Sequence, residues 1–106
     1  MIMAFAFTRG DEYLIPILIK DKNNTVITPD NATGVKVGIG SAVSSYPDGD
    51  LTYADGLWYF PLTQEISYRI PEGDADFQVK VKFADKIVNS KQTKVDVEGT
   101  IFKGVW

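Results

Sequence analysis

Cysteine and histidine are both absent from the 106 residues. Without cysteine there is no disulfide framework and no thiolate nucleophile. Without histidine as well, Ser-His-Asp and Cys-His catalysis are excluded, together with the usual zinc ligand sets. Long apolar runs are missing too, so no stretch approaches the length of a membrane-spanning helix. The apolar opening Met1-Ile2-Met3-Ala4-Phe5-Ala6-Phe7 is too short for a signal peptide's apolar region and its cleavage site. These absences lead to the expectation of a soluble chain that is not addressed for secretion. Basic charge is also scarce: the net charge is -3 and the isoelectric point is near 4.8, which argues against a general nucleic-acid binder. Lysines gather at Lys80, Lys82, Lys86, Lys91 and Lys94, but with acids among them, as on a solvated sheet face.

Hydrophobic residues make up 44% and charged residues 24% of the chain, proportions that place it among globular proteins. Its length is that of one domain, residues 1–106, with enough core to fold unaided by metal or disulfide. The clearest pattern runs from Asp76 to Phe83. Phe77, Val79, Val81 and Phe83 alternate with Gln78, Lys80 and Lys82, as in a strand with one face on a core and one in water. A helix would scatter these apolar groups around its circumference.

The rest of the chain repeats this theme in shorter pieces. Met3, Phe5 and Phe7 suggest a first strand, followed by a turn at Arg9-Gly10-Asp11. That tripeptide is also the one read by integrins, but backbone need alone explains the glycine. Tyr13 to Lys20 is a second strand with Ile15, Ile17 and Ile19 on one face. Its other face carries Leu14, Pro16 and Leu18, which are not polar, and Pro16 points to an edge or a bulge. Such a face needs a cover, either a flap of the same chain or a partner. Asp21 to Asn24 is a turn, and further strands are expected at Val26–Thr28, Val35–Ile39, Ser41–Tyr46, Leu57–Leu62, Ser67–Ile70, Ile87–Ser90 and from Thr93 onward. Leu51–Tyr53 can pair only briefly, and Thr63 is placed to cap a single helical turn. The chain closes Ile101-Phe102-Lys103-Gly104-Val105-Trp106, an apolar end that calls for docking on its own sheet or on something else. Roughly eight short strands with turn signals every eight to twelve residues indicate an all-β fold. The expected architecture is an Ig-like antiparallel β-sandwich of about seven to nine strands.

Little in the sequence carries chemistry. Asp48, Asp50 and Asp55 surround paired turns, yet they break the calcium-loop pattern at once, and turn chemistry accounts for them. Gly38-Ile39-Gly40 lacks the third glycine and the helix of a dinucleotide fingerprint. No cofactor, metal site or catalytic residue is expected, and the chain is read as a non-enzyme. The aromatics Tyr46, Tyr53, Trp58 and Tyr59 offer stacking surfaces for a sugar ring if exposed together, although the general burial of large aromatics favours Trp58 filling the core and Tyr59 lining an edge.

The run Asp55-Gly-Leu-Trp-Tyr-Phe-Pro-Leu-Thr-Gln-Glu-Ile-Ser67, with Arg9-Gly10-Asp11 ahead of a hydrophobic strand, resembles small β-sandwich proteins of tailed phages and prophages of Gram-positive bacteria. The nearest family is the N-terminal domain of the phage baseplate upper protein. Its members open with a similar Arg/Lys-Gly-Asp and a strand ending in an Asp turn, here Asp21-Lys22-Asn23-Asn24. The resemblance covers nearly the whole chain and rests on structural motifs. It implies a structural role in a virion assembled in the bacterial cytoplasm, with other tail proteins as partners and no catalytic residues. The multidomain members continue beyond this domain, so a chain ending at Trp106 is expected to dock non-covalently. On this reading the chain is a homo-oligomer that contacts neighbours through Leu14, Leu18, Phe102, Val105 and Trp106, with no nucleic acid or membrane as partner. The alternative is a monomeric carbohydrate-binding or adhesion-type module built on Tyr53 and Tyr59.

Overall fold

The computed structural model describes residues 6–90 and 93–100. Nine strands and one short helix occur among them, in the order β1 (Ala6–Thr8), β2 (Tyr13–Ile17), β3 (Gly34–Ile39), β4 (Ala42–Tyr46), β5 (Thr52–Ala54), β6 (Leu57–Leu62), α1 (Gln64–Arg69), β7 (Gly73–Lys82), β8 (Ile87–Asn89) and β9 (Thr93–Glu98). The expected all-β class is what the chain adopts. Five strands form one sheet in the order β1-β9-β7-β3-β4, with β8 also on β7, and the second sheet is β2-β6-β5. This is the strand order of an Ig-like sandwich, in which the second, fifth and sixth strands make one sheet and the third, fourth, seventh and last the other. β1 pairs parallel to β9, whereas the other ladders are antiparallel.

Alternation drives the assembly. Phe77, Val79 and Val81 of β7 are buried, as are Val35, Val37 and Ile39 of β3 directly across the ladder. Ile15 and Ile17 of β2, with Trp58, Phe60 and Leu62 of β6, cover them from the other sheet. Trp58 is the largest fully buried side chain. Its indole Nε1 donates to the carbonyl of Ile27 at 2.9 Å, so burial leaves no orphan donor. Tyr46 meets its ring edge-on at 5.2 Å between centroids, and Tyr53 lies tilted against it at 5.0 Å.

Two expected strands are replaced by other structure. Ser67–Ile70 was expected to be extended, but Ser67 to Arg69 belong to α1. Thr63 caps that helix, its hydroxyl accepting from the amide of Ile66 at 3.2 Å. Ile66 and Ile70, four apart, turn to the core together, a spacing that suits a helix as well as a strand. Val26–Thr28 makes only a bridge between Val26 and Lys20, reinforced by the Ile27 amide donating to the Ile19 carbonyl. The Asp21 carboxylate accepts from the amides of Asn23 and Thr25, and this side-chain turn ties the loop before a ladder develops. Among the described residues no helix is long and apolar enough to cross a membrane.

Candidate interaction surfaces

The outer face of the three-stranded sheet is built from register. Leu14 lies opposite Pro61, Pro16 opposite Tyr59, Thr52 opposite Tyr59, and Ala54 opposite Leu57. Residues directly across an antiparallel ladder share a face. Leu14, Pro16, Thr52, Ala54, Leu57, Tyr59 and Pro61 therefore form one surface without a charged group. Leu14 is 57% exposed, and Pro16, Thr52 and Ala54 are exposed as well. Leu18, just beyond the end of β2, is half-buried. No described flap lies over Leu14. The free edge of β2 carries the expected proline.

Register also separates the two tyrosines proposed for a sugar platform. Tyr59 stands on this outer face, while Tyr53 pairs with Trp58 and packs on the core side. A two-ring platform is thus not assembled. Phe102, Val105 and Trp106 lie outside the described residues. Tyr13, on the core side at the end of β2, has its phenol pushed above the ordinary value, first by burial and then by Asp11.

Arg9-Gly10-Asp11 is turned to the protein's own use. The Arg9 guanidinium donates to the Tyr68 carbonyl at 2.5 Å, and the Gly10 amide donates to the Ser67 hydroxyl at 2.9 Å. The Ser67 hydroxyl donates in turn to the Asp11 carbonyl, and the Asp11 carboxylate accepts from the Thr8 amide. All three residues are partly buried beneath α1, which is where the tripeptide docks the helix. Of the turn aspartates, Asp50 accepts from the hydroxyl of buried Ser44. No cluster of three or more acidic side chains suited to a metal ion occurs among the described residues.

One feature escaped sequence reasoning. β7 has ten residues, against five in β2 and six in β6, and β8 pairs with its C-terminal end. Beside that end lies a groove of about 1030 Å³ lined by Ile27, Val79, Val81, Phe83 and Val88. The turn at Lys20–Asn23 and the β7–β8 hairpin with Asp85 and Lys86 form its rim. Lys86 lies over the Phe83 ring at 5.4 Å. The signal available in the sequence was the unequal length of alternating runs, which becomes a groove only once pairing is known.

No family model and no curated protein matches the chain. A solved structure does. The endo-beta-1,4-mannanase from Thermotoga petrophila is similar over 90% of this chain, with a TM-score of 0.58 and 17% identity. The match takes in 18% of the mannanase chain, so this chain spans less than a fifth of that protein. At this identity the likeness is one of fold. It agrees with the sandwich described above and carries no residue of the interaction surfaces with it.

Proposed function

We propose that the chain is a structural subunit of a tailed-phage or prophage particle, acting by protein–protein assembly and not by catalysis. The observation that carries the assembly reading is the uncharged outer face of the β2-β6-β5 sheet. Full burial of a leucine-sized side chain stabilises an interface by about 1.5–3 kcal/mol, and Leu14 alone is 57% exposed. Its neighbours Pro16, Tyr59 and Pro61 are rigid, so ordering them in a contact costs little conformational entropy. The phage setting comes from the resemblance in the Asp55–Ser67 run and the Arg9–Asp11 turn. The particle is assembled in the bacterial cytoplasm, with other tail proteins as partners.

Two measurements test this. Mass spectrometry of particles induced and purified from the source bacterium should find the chain at a stoichiometric level. Particles that form in cells expressing the chain yet lack it would sink the structural reading. Sizing of Leu14→Lys against wild type should show loss of the contact through this face, while an unchanged mass would remove that face from the account. Tyr59 supports a second reading, a monomeric carbohydrate-binding module, because a half-buried aromatic ring on an outer sheet face can stack on a sugar. Binding on a glycan array that disappears in Tyr59→Ala, together with absence from particles, would favour it.

A further inference from the structure

The outward residues of β7 are Asp74, Asp76, Gln78, Lys80 and Lys82, alternating with buried Ala75, Phe77, Val79 and Val81. Two acids, a neutral centre and two bases follow one another, so reversing the order exchanges the signs. On β3, Lys36 is directly opposite Lys80. On β4, Val43 is opposite Gly38, which is itself opposite Gln78. Lys36, Lys80, Lys82 and Asp74 are all exposed, and Val43 is 65% exposed. The ion pair Arg69–Glu65 is elsewhere, on α1. None of Lys36, Lys80 or Lys82 has an ion pair among the described residues. Like charges directly across a ladder repel, yet this acidic protein sets Lys36 against Lys80. Lysines often guard sheet edges against pairing, but β3 and β7 are both interior strands. Edge protection does not account for them.

We infer that this face docks a second copy of the chain, sheet face to sheet face, about a two-fold axis along the Val43–Gly38–Gln78 row. Such an axis runs the two β7 strands antiparallel across the interface. Lys82 then meets Asp74 of the other copy, whose ladder partner on β9 is Asp96, while Lys80 and Lys36 both approach Asp76, whose ladder partner on β9 is Lys94. The charges complement one another over a strand length of roughly 26 Å, at about 3.3 Å per residue. The centre of the face is low: Gly38 has no side chain, and the Gln78 amide is tied down by donating to the Ser90 carbonyl at 2.9 Å. Val43 packs there on its own symmetry mate. A two-fold contact needs this kind of self-complementary patch. A polyanion or an anionic membrane would suit the lysines but would be repelled by Asp74 and Asp76 in the same row, which is why the second copy is the better occupant. This inference does not rest on the proposed particle role, because the face is on the other side of the sandwich from Leu14.

The test is sedimentation analysis with every variant made in the Leu14→Lys background, so that the opposite face contributes nothing. The parent should dimerise and weaken at least about tenfold between low and high salt. Lys80→Asp/Lys82→Asp and Asp74→Lys/Asp76→Lys should each be monomeric, with circular dichroism confirming that they are folded. Mixed in equal amounts, these two variants should form a one-to-one heterodimer. A monomeric parent at low salt, reversed variants that self-associate like the parent, or a mixture that fails to combine would each overturn the inference. Polyglutamate or heparin captured by a monomeric parent, and lost on Lys80→Asp/Lys82→Asp, would also overturn it and put an acidic partner in place of the second copy.

Discussion

Gly10 shows how one residue links a turn to the packing beneath it. Its φ is +93°, and a Cβ there would sit 2.7 Å from the Tyr68 hydroxyl. Gly56 has a similar φ of +87° with nothing within 4 Å of a would-be Cβ. Both glycines supply left-handed backbone, but only Gly10 also supplies space. Alanine at either position should cost about 1–3 kcal/mol in backbone strain, and Gly10→Ala should cost clearly more than Gly56→Ala because Tyr68 must also move. Urea denaturation of the pair checks this, and equal losses would mean that the Tyr68 contact is unimportant. The glycine was legible in the sequence as a turn. Its neighbour, 58 positions away, was not.

At the scale of the element, α1 is the instructive case. Thr63 was readable as a cap, and the side chain does accept from the Ile66 amide. The helix continues through Ser67–Arg69 because of what it packs against. Ser67 is fully buried and spends its hydroxyl on Gly10 and Asp11, a pairing that no local pattern encodes. Thr63→Ala should lower stability by about 1 kcal/mol, measured as a shift in denaturation midpoint with an unchanged slope. A loss near zero would show that the tertiary clamp alone holds the helix. β7 is the opposite case: its alternation over Phe77, Val79 and Val81 is so regular that face and burial both follow from it.

For the molecule as a whole, the unequal lengths of the two sheets matter most. At the groove Val88 is 45% exposed although it is paired with buried Val81. Val88→Lys should therefore change stability by less than about 0.5 kcal/mol, as at exposed sites, whereas Phe77→Ala should cost about 3–5 kcal/mol. A dye that fluoresces in apolar surroundings should bind the native wild type at the groove and bind Val88→Lys less. Equal dye binding by both would show that the groove is closed in solution. The sandwich also gives the protein two broad outer faces of different character, one uncharged and one with graded charge. Two-fold contacts through both would build an open row of subunits instead of a closed ring.

The sequence by itself determined the class of fold, since period-two alternation between turn residues leaves few alternatives to a sheet sandwich. It also determined which side of each long strand is buried, because a one-residue slip would expose the whole apolar set. What only the tertiary structure decided was neighbourhood. Register put Leu14 beside Pro61 and Tyr59 on one face and turned Tyr53 inward onto Trp58. It set Lys36 against Lys80 on the other sheet. The physical reason is that alternation specifies a face, whereas the choice of which strands pair, and at what offset, depends on contacts between residues far apart in the chain.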